Sequence, residues 1–386
     1  MTAPIVTVTI DNGGTVTEIA DKVLIGARIT QGSDGLWDQP DPATLSMTVL
    51  DETGLLRDQF TFTTALTVTA NSTTRFVGTV TDIEVTWEDD LGWVLQVIGV
   101  GPKVAARTLL IDPRPQETAA ARIEAAWTAA GLTIHDIDTT GSVTLLPTTQ
   151  PATVSALADE AASTDLGLIT ERRDGTMWYR GRDTIAASQL VKAVLPADGV
   201  FPDSRWVKSI GDLSSRVLCR YGTNDPQDTE TAEDTALTAL LGRVAETVHT
   251  EILANQADAA TIAAEVLARR SDPSWRTRGL RVDLALDPYN ETRTQNVLDL
   301  EVGDVVWVTG APATTPAGTS ETYVLLGWDE TLDGLDYVID MRVVEYEVIR
   351  EQARWGNVAM SWANAGSTPV GSYSYTPPTL PPGVEP

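Results

Sequence analysis

One hairpin pattern occurs twice in this sequence, close to its two ends. The first copy, TRFVGTVTDIEVTWEDDLGWVLQVIGVGP, spans residues 74–102, and the second, TYVLLGWDETLDGLDYVIDMRVVEY, spans residues 322–346. Each has an aromatic residue, a short apolar run, a glycine, an acidic turn and a second apolar strand, which is typical of an antiparallel β-hairpin. Reuse of common hairpin residues is one explanation. A duplication that gave the chain two equivalent strand-rich units explains the pattern better.

Strand-like segments fill the first part of the chain, and helical patterns follow them. Residues 1–104 contain six β-branched, largely alternating runs separated by turn residues, which predicts a first antiparallel β-barrel. Residues 105–190 predict an α+β insertion domain. Ile123 and Trp127 have the spacing of one helix, and an apolar stripe from Val154 to Ala161 predicts a second. Asp174-Gly175 is a favoured turn between two strands.

Strands resume in the C-terminal half, where residues 191–232 and 272–350 predict a second, similar barrel. A helical insertion is expected at 233–271, because its apolar residues have helical spacing and end at a proline. Residues 351–386 form a C-terminal segment with a Pro-rich tail that cannot pack a core. The predicted fold class is therefore mainly β with α+β insertions: two similar antiparallel β-barrels plus smaller inserted α+β domains.

Local patterns in the C-terminal half give three further expectations. The acidic, polar run at 223–236 is typical of a mobile surface loop. Residues 297–310 read as two strands that turn at Gly303-Asp304. The segment AETVHTEIL, at 245–253, has a helical pattern.

Charge limits the partners of the chain. The sequence has 386 residues, with 54 acidic and 27 basic side chains and a formal net charge of -27. Such a surface repels polyphosphates, and no run of Lys or Arg offsets it, so stable nucleic-acid binding is not expected. The single cysteine, Cys219, excludes an internal disulfide framework and is predicted to be a buried, inert thiol. No signal peptide or membrane span is expected, which predicts synthesis as a soluble protein in a cytoplasm.

Residues suited to catalysis are scarce. A Ser-His-Asp or Cys-His arrangement would need one of the two histidines, His135 or His249, and neither has a catalytic sequence context. Nucleotide-binding and zinc-protease motifs are absent, and one cysteine with two distant histidines is a poor zinc ligand set. The sequence predicts no catalytic, cofactor-binding or metal-binding residue and no cofactor.

Carboxylates cluster at three predicted turns. The clusters are Glu88, Asp89 and Asp90; Asp329, Glu330, Asp333 and Asp336; and Asp34, Asp38 and Asp41 around Trp37. A paired-carboxylate glycosidase or a calcium-binding loop could use such groups. However, an acidic protein places carboxylates at turns to keep them in water, and EF-hand spacing is missing. The clusters are therefore predicted to be solvated.

Tryptophan is abundant, with 11 residues in the chain. Those within strands are predicted to fill the core: Trp93, Trp178, Trp307 and Trp328. Those beside Gly, Pro or Arg could be exposed: Trp37, Trp275 and Trp355. Exposed tryptophans stack on sugars or anchor protein interfaces, which leaves a binding role open.

Several stretches together resemble the baseplate hub proteins of tailed phages, including siphophage minor tail proteins and the N-terminal hub module of tail-associated lysins. These stretches are the first hairpin, VSALADEAASTDLGLITERRDGTMWYRGRD, AATIAAEVLARRSDPSWRTRGLRVDLAL followed by VLDLEVGDVVWVTGAP, and WGNVAMSWANAG. The resemblance covers nearly all of residues 1–366. It is carried by the order of the segments, since no single motif is diagnostic.

The resemblance implies a structural role at the tail tip of a virion. In that family two similar barrels per chain assemble as a homotrimer, so that six barrels form a ring that joins a sixfold tube to a threefold tip. The implied partners are the distal tail protein, the tail tube protein, the tape-measure protein and other tail-tip or fibre proteins. DNA only passes through the ring, and an acidic lumen would keep it from sticking.

Two other functions remain open on the sequence. A receptor-binding or carbohydrate-binding tail-tip protein is the alternative that the tryptophans suggest. An envelope-degrading enzyme using a turn pair such as Asp89 and Asp90 comes third. Related lysins continue into peptidase, glycosidase or fibre domains where this sequence has its Pro-rich tail, so enzymatic activity is not expected.

Overall fold

The computed structural model describes most of the chain up to Glu345. The described residues are 4–35, 38–62, 64–187, 190–200, 206–207, 213–224, 226–241, 246–248, 250, 252–271, 276–277, 279–285, 291–310, 320–333 and 336–345. Trp37, His249, Trp275, Trp355 and the segment 351–386, which the sequence analysis singled out, lie outside them.

The N-terminal part is made of strands. They are β1 (Val6–Asn12), β2 (Thr15–Glu18), β3 (Val23–Gly32), β4 (Asp41–Asp51), β5 (Ala65–Ala70), β6 (Thr73–Glu88) and β7 (Gly92–Val100). Along β4 and β5, buried residues alternate with more accessible ones, because successive side chains of a strand point to opposite faces of the sheet.

An inserted α+β unit follows. Its elements are β8 (Leu110–Ile111), β9 (Glu117–Thr118), α1 (Ala119–Ala129), β10 (Ile134–Ile137), β11 (Thr144–Leu145), β12 (Ala152–Thr153), α2 (Val154–Thr164), β13 (Leu168–Glu171), β14 (Met177–Arg180) and α3 (Arg182–Ala187). Thr118 and Thr153 begin α1 and α2 by accepting a hydrogen bond from the amide three residues later, which satisfies an otherwise unpaired N–H. Both predicted helices and the Asp174-Gly175 turn are confirmed.

The C-terminal half mixes strands and helices. It contains β15 (Val191–Pro196), α4 (Ala197–Val200), β16 (Trp206–Val207), β17 (Arg216–Tyr221), β18 (Asp228–Glu233), α5 (Thr235–Leu241), β19 (Glu246–Val248), α6 (Gln256–Arg270), β20 (Arg276–Thr277), β21 (Leu280–Asp283), α7 (Glu291–Leu298), β22 (Val305–Thr309), β23 (Ser320–Asp333) and β24 (Asp336–Glu345). No helix of the described residues is both long enough and apolar enough to span a membrane.

Three local predictions in this half are wrong. The run 223–236 is not all loop, since β18 pairs with β17 over six residues. Residues 246–248 form a strand parallel to β17, in keeping with the β propensity of Thr247 and Val248. Residues 297–298 end α7, whose buried Thr294, Val297 and Leu298 have the i, i+3, i+4 spacing of a helix.

A large mixed sheet connects the two ends of the chain. The strand order is β15-β22-β23-β3-β4-β7-β6-β5-β1-β2, and β24 pairs with β23 and β21. Both predicted hairpins are present, as β6–β7 and β23–β24. The two halves meet where β23 pairs antiparallel with β3, from Gly327↔Gly32 to Leu332↔Ala27. The chain is therefore mainly β, with one sheet running through both halves.

The described residues pack into two hydrophobic cores. The larger core combines residues of the big sheet from both halves, including Val68, Leu95, Val324 and Trp328. The smaller core lies in the inserted unit and contains Trp127. Strand β17, which the sequence analysis assigns to the second barrel, contributes Val217 and Cys219 to this smaller core, and α6 packs there as well. The domain boundaries and the division into two barrels stay predictions.

Close backbone approach at the β3–β23 seam demands glycine. A Cβ at Gly26 would lie 2.0 Å from the carbonyl oxygen of Leu332. One at Gly32 would lie 2.3 Å from the Cα of Gly327. Separations this short cannot be relieved by a side-chain rotation, because the opposing atoms belong to the backbone.

Gly26→Ala should therefore destabilise the protein by forcing β3 away from β23. We expect a loss of at least about 3 kcal/mol in the free energy of unfolding, measured by urea titration. Gly14→Ala is the control, because nothing lies within 4 Å of a Cβ there and only its positive φ is strained. That control should cost about 1 kcal/mol. Equal losses in the two variants would contradict the seam argument.

Candidate functional site

An ion pair between Arg75 of β6 and Glu330 of β23 lies at the centre of the candidate site. Arg75 Nη2 lies 2.6 Å from Glu330 Oε2, and Arg75 Nε donates to the two carboxylate oxygens at 2.9 and 3.1 Å. Both side chains are 0% exposed, and Tyr337 of β24 donates its hydroxyl to the same carboxylate. Burial opposes the charge on Arg75, but the adjacent Glu330 carboxylate outweighs it and leaves the pKa of Arg75 above its ordinary value.

Arg173, in the turn between β13 and β14, is the residue of the inserted unit that lies beside this ion pair. Its guanidinium carbon lies 4.3 Å from the centre of the Trp328 ring, and that of Arg75 lies 5.9 Å from it. Both arginines donate to the carbonyl oxygen of Leu298, the last residue of α7. Burial and the positive charge of Arg75 lower the pKa of Arg173 to about 10, so both guanidinium groups are charged at neutral pH.

We call Arg75, Arg173, Trp328, Glu330 and Tyr337 the junction cluster. Its members come from the N-terminal strands, the inserted unit and the C-terminal hairpin, so it is where all three parts of the chain meet. A buried ion pair with complete hydrogen bonding stabilises one arrangement of its elements, since any shift leaves a charge unpaired. Its carboxylate is enclosed and occupied by Arg75, so the arrangement is suited to holding geometry rather than to binding a substrate.

A second polar contact attaches the inserted unit to the first strands. Glu171 of β13 is 3% exposed, and its Oε2 accepts the amide of Ala43 in β4 at 3.1 Å. Gln39 binds the backbone of the inserted unit at Gly167 and Ile169, both at 3.1 Å. Burial raises the pKa of the Glu171 carboxyl to about 7, despite the hydrogen bond from Ala43.

One of the three predicted carboxylate clusters is only partly in water. Glu330 was predicted to be solvated and is completely buried, which is a correction to the sequence analysis. The reason is Arg75, which compensates the charge from a strand 255 positions away. Asp329, on the opposite face, is partly exposed and pairs with Arg342 at 2.7 Å and with Arg28 at 3.2 Å. Asp333 and Asp336 are exposed at the turn.

The other predicted carboxylates are exposed, as expected of turns. They are Glu88, Asp89 and Asp90 in the first hairpin, and Asp34, Asp38 and Asp41 before and at the start of β4. Asp34 lies 3.3 Å from Arg342, and Asp41 pairs with Arg107. Two of the three clusters therefore lie at the surface, and one member of the third, Glu330, is the acidic partner of the buried junction ion pair.

The residues considered for nucleophilic or metal chemistry lie apart. Cys219 is buried in the smaller core, and burial raises the pKa of its thiol to about 12, so it is protonated and unreactive at neutral pH. His135 is exposed and packs edge-on against Trp178, with its Nδ1 3.0 Å from Arg172. Across the part of the chain that the structure describes, no group of three or more His, Cys, Asp and Glu side chains could hold a metal ion.

The burial of the tryptophans differs from the prediction. Trp328 is fully buried, as predicted, whereas Trp93, Trp178 and Trp307 are only partly buried. Trp87, which no sequence argument singled out, is 57% exposed and packs edge-on against Trp93 with ring centres 5.1 Å apart. An exposed aromatic surface thus lies at the end of the first hairpin, and Phe62, before β5, is exposed as well.

Arg75, Arg173 and Tyr337 are the members of the junction cluster that sequence reasoning missed. A usable signal existed for Arg75, which stands at the start of the otherwise apolar run RFVG. A charged residue inside such a strand needs a buried partner. Arg173 carries no comparable signal, since arginine beside a turn is normally solvated.

Removing one partner of the junction ion pair should destabilise the protein strongly. We expect Arg75→Met or Glu330→Met to cost about 3 to 5 kcal/mol in the free energy of unfolding, because each leaves a buried charge without compensation. The double variant Arg75→Met, Glu330→Met should recover part of that loss. Asp340→Asn is the matched control, since Asp340 is half exposed and 4.0 Å from Arg281 and its loss should change stability by less than about 1 kcal/mol. Additive losses in the double variant would contradict the pairing.

Glu171 should make stability depend on pH. Burial raises the pKa of the Glu171 carboxyl to about 7 in the folded protein. The protonated side chain therefore contributes to the free energy of unfolding at acidic pH, and this contribution is lost as the pH rises through about 7. Glu171→Gln should remove this loss, which is of the order of 3 kcal/mol between pH 4.5 and 8. The measurement is urea unfolding of both proteins over that range, with exposed Glu84→Gln as control. Parallel pH curves for wild type and Glu171→Gln would contradict the assignment.

No protein-family model and no curated protein sequence matches the chain. Solved structures do match it. A 43 kDa tail protein of prophage MuSo2 from Shewanella oneidensis aligns with a TM-score of 0.62 and 13% identity, over 89% of this chain and 99% of that protein. A tail protein from Neisseria meningitidis gives 0.63 and 12%, over 90% and 99%. A prophage tail protein, gp18, from Listeria monocytogenes gives 0.54 and 9%, over 86% and 94%. The chain has the fold of these tail proteins.

Proposed function

We propose that the chain is a structural protein of a phage-type tail and forms the hub at the tail tip or baseplate of a virion. The observation that carries this proposal is the extent of the structural likeness. Two solved tail proteins are matched over 99% of their length and about nine-tenths of this chain. A likeness that spans both halves and the inserted unit supports a shared architecture, and a shared role is the simplest reason for it.

In this proposal three copies form a ring of six similar units, with residues 1–104 as one barrel and residues 191–232 with 272–350 as the other. The β3–β23 seam supports such a ring, because a strand of the N-terminal half completes the C-terminal hairpin in head-to-tail fashion. Head-to-tail contacts produce closed rings when the rotation between units closes. The junction cluster would hold the angle between the two units of each chain.

The role is not enzymatic in this proposal. The structure supports that view through the enclosed Glu330 and the protonated Cys219, neither of which is available to a substrate. The ring would instead join the tail tube to the tip and let the tape-measure protein and DNA pass. A net charge of -27 supports passage without binding, because a carboxylate-lined channel repels DNA.

The partners we propose are the tail tube protein, the distal tail protein, the tape-measure protein and other tail-tip or fibre proteins. Cryo-EM of tails that contain this chain tests the assignment directly. We expect threefold density with pseudo-sixfold features at the tip end of the tube, and a channel of negative potential. Purified chain should also pull down the tube and distal tail proteins. Density elsewhere in the particle, or a failure to bind either protein, would contradict the hub role.

A second candidate function is receptor or carbohydrate binding at the tail tip, favoured by the exposed ring of Trp87. A tryptophan face at the surface can stack on a sugar. A glycan array, or a pull-down on host envelope, separates the two functions. A hub alone should bind nothing there, whereas a receptor-binding protein should bind and lose that binding in Trp87→Ala.

A further inference from the structure

The long strand β6 pairs with β5 over its first part and with β7 over its second part. Over Thr73–Thr79 it pairs with β5, and the amide of Val80 donates to the carbonyl of Thr64 at 3.0 Å. From Thr79 to Glu88 it pairs with β7 on its other side. Among the described residues, no strand pairs with residues 81–88 on the side opposite β7. This open edge, residues 81–88, presents unpaired backbone groups.

The equivalent strand of the second hairpin has its edge filled. Strand β23 pairs with β22 over its first part, as β6 pairs with β5. Beyond that point, from Gly327 to Leu332, it pairs with β3 on one side and with β24 on the other. The first strands of the two hairpins, β6 and β23, therefore have similar pairing partners except at one edge. The strand that completes β23 comes from the other half of the chain, and no strand of the described residues takes the equivalent place beside β6.

The side chains of the open edge also lack cover. Val85 and Trp87 lie opposite Leu95 and Trp93 in the β6–β7 register, on the face whose Leu95 is completely buried. Yet Val85 is 41% exposed and Trp87 is 57% exposed. On β23 the residues on the corresponding face are flanked by β3, where Ile29 pairs with Glu330 and both side chains are 0% exposed. Val85 and Trp87 thus form an apolar stripe that is exposed to solvent although it lies on the core side of the sheet.

The open edge has few of the features that keep an edge strand from pairing. Residues 81–88, TDIEVTWE, contain no proline, lysine or arginine, and the one irregularity in register lies at their start, between Val80 and Asp82. Edge strands that stay unpaired are usually short, interrupted or basic. Residues 82–88 keep a regular register with β7, and Ile83, Val85, Thr86 and Trp87 among them are β-branched or aromatic, which suits this edge to adding a strand.

We propose that residues 81–88 of β6 are an interface between copies of this chain, in which an edge strand from the C-terminal half of a second copy pairs with the open edge and covers Val85 and Trp87. This contact between two chains would be a strand pairing like the one that β3 and β23 form within one chain. It rests on the proposed function in one respect, because it supplies the contact that closes the ring.

Hydrogen–deuterium exchange on the full chain tests the interface. The amides of residues 81–88 that point to the open edge, about every second one because the others pair with β7, should exchange quickly in dilute protein. They should become protected as concentration raises the oligomer fraction, measured in parallel by sedimentation. The variant Val85→Lys, Trp87→Lys should raise the concentration needed for assembly by at least about tenfold. Leu110→Lys is the matched control, because Leu110 is 63% exposed and lies in the inserted unit.

The outcomes distinguish this inference from the hub role. Oligomers in which residues 81–88 still exchange quickly, a double variant that assembles like wild type, or a wild-type chain that stays monomeric into the millimolar range would each overturn the interface. Circular dichroism confirms that the variants fold. A chain that assembles through this edge but binds no tail protein would overturn the hub role and leave the interface standing. Loss of assembly in Leu110→Lys would also overturn the specificity claimed for the open edge.

Discussion

The Arg75–Glu330 ion pair fixes how the parts of this molecule are arranged. A guanidinium and a carboxylate that are both wholly enclosed tolerate almost no relative displacement, because any gap leaves a charge without water and without a partner. Strands β6 and β23 carry the pair, and Arg173 joins it from the inserted unit by stacking on Trp328. A single polar cluster therefore holds three segments that are far apart in sequence.

The seam beside that cluster explains why two similar hairpins belong to one sheet rather than to two separate ones. Strand β3 can approach β23 closely because glycines stand at the points of contact, and main-chain pairing then continues from one half into the other. Arg28 and Thr30 add side-chain hydrogen bonds to Asp329 across the same seam. Covalent linkage thus places two similar hairpins in a fixed relation, which is the geometry that a ring of repeated units requires.

Much of the fold follows from local patterns, and most of the candidate site does not. Alternation and turn residues predict both hairpins, and apolar residues at helical spacing predict α1 and α2. Glu330 shows where the sequence alone falls short. It shares a strand face with Trp328 and Leu332, which marks the position as buried, but its partner Arg75 can be identified only when the fold brings the two strands together. The helix α7 was obscured for a different reason: Val297, in its last turn, is β-branched and favours strands.

The pairing of β3 with β23 has a consequence for biosynthesis. Arg28 and its partner Asp329 are 301 positions apart, so β3 leaves the ribosome long before the strand that will flank it exists. Until β23 has been synthesised, the edge of β3 has no strand to pair with. Contacts between residues so far apart in sequence also form slowly. During translation this nascent chain is exposed to aggregation, and chaperones that shield β-rich intermediates would favour its yield.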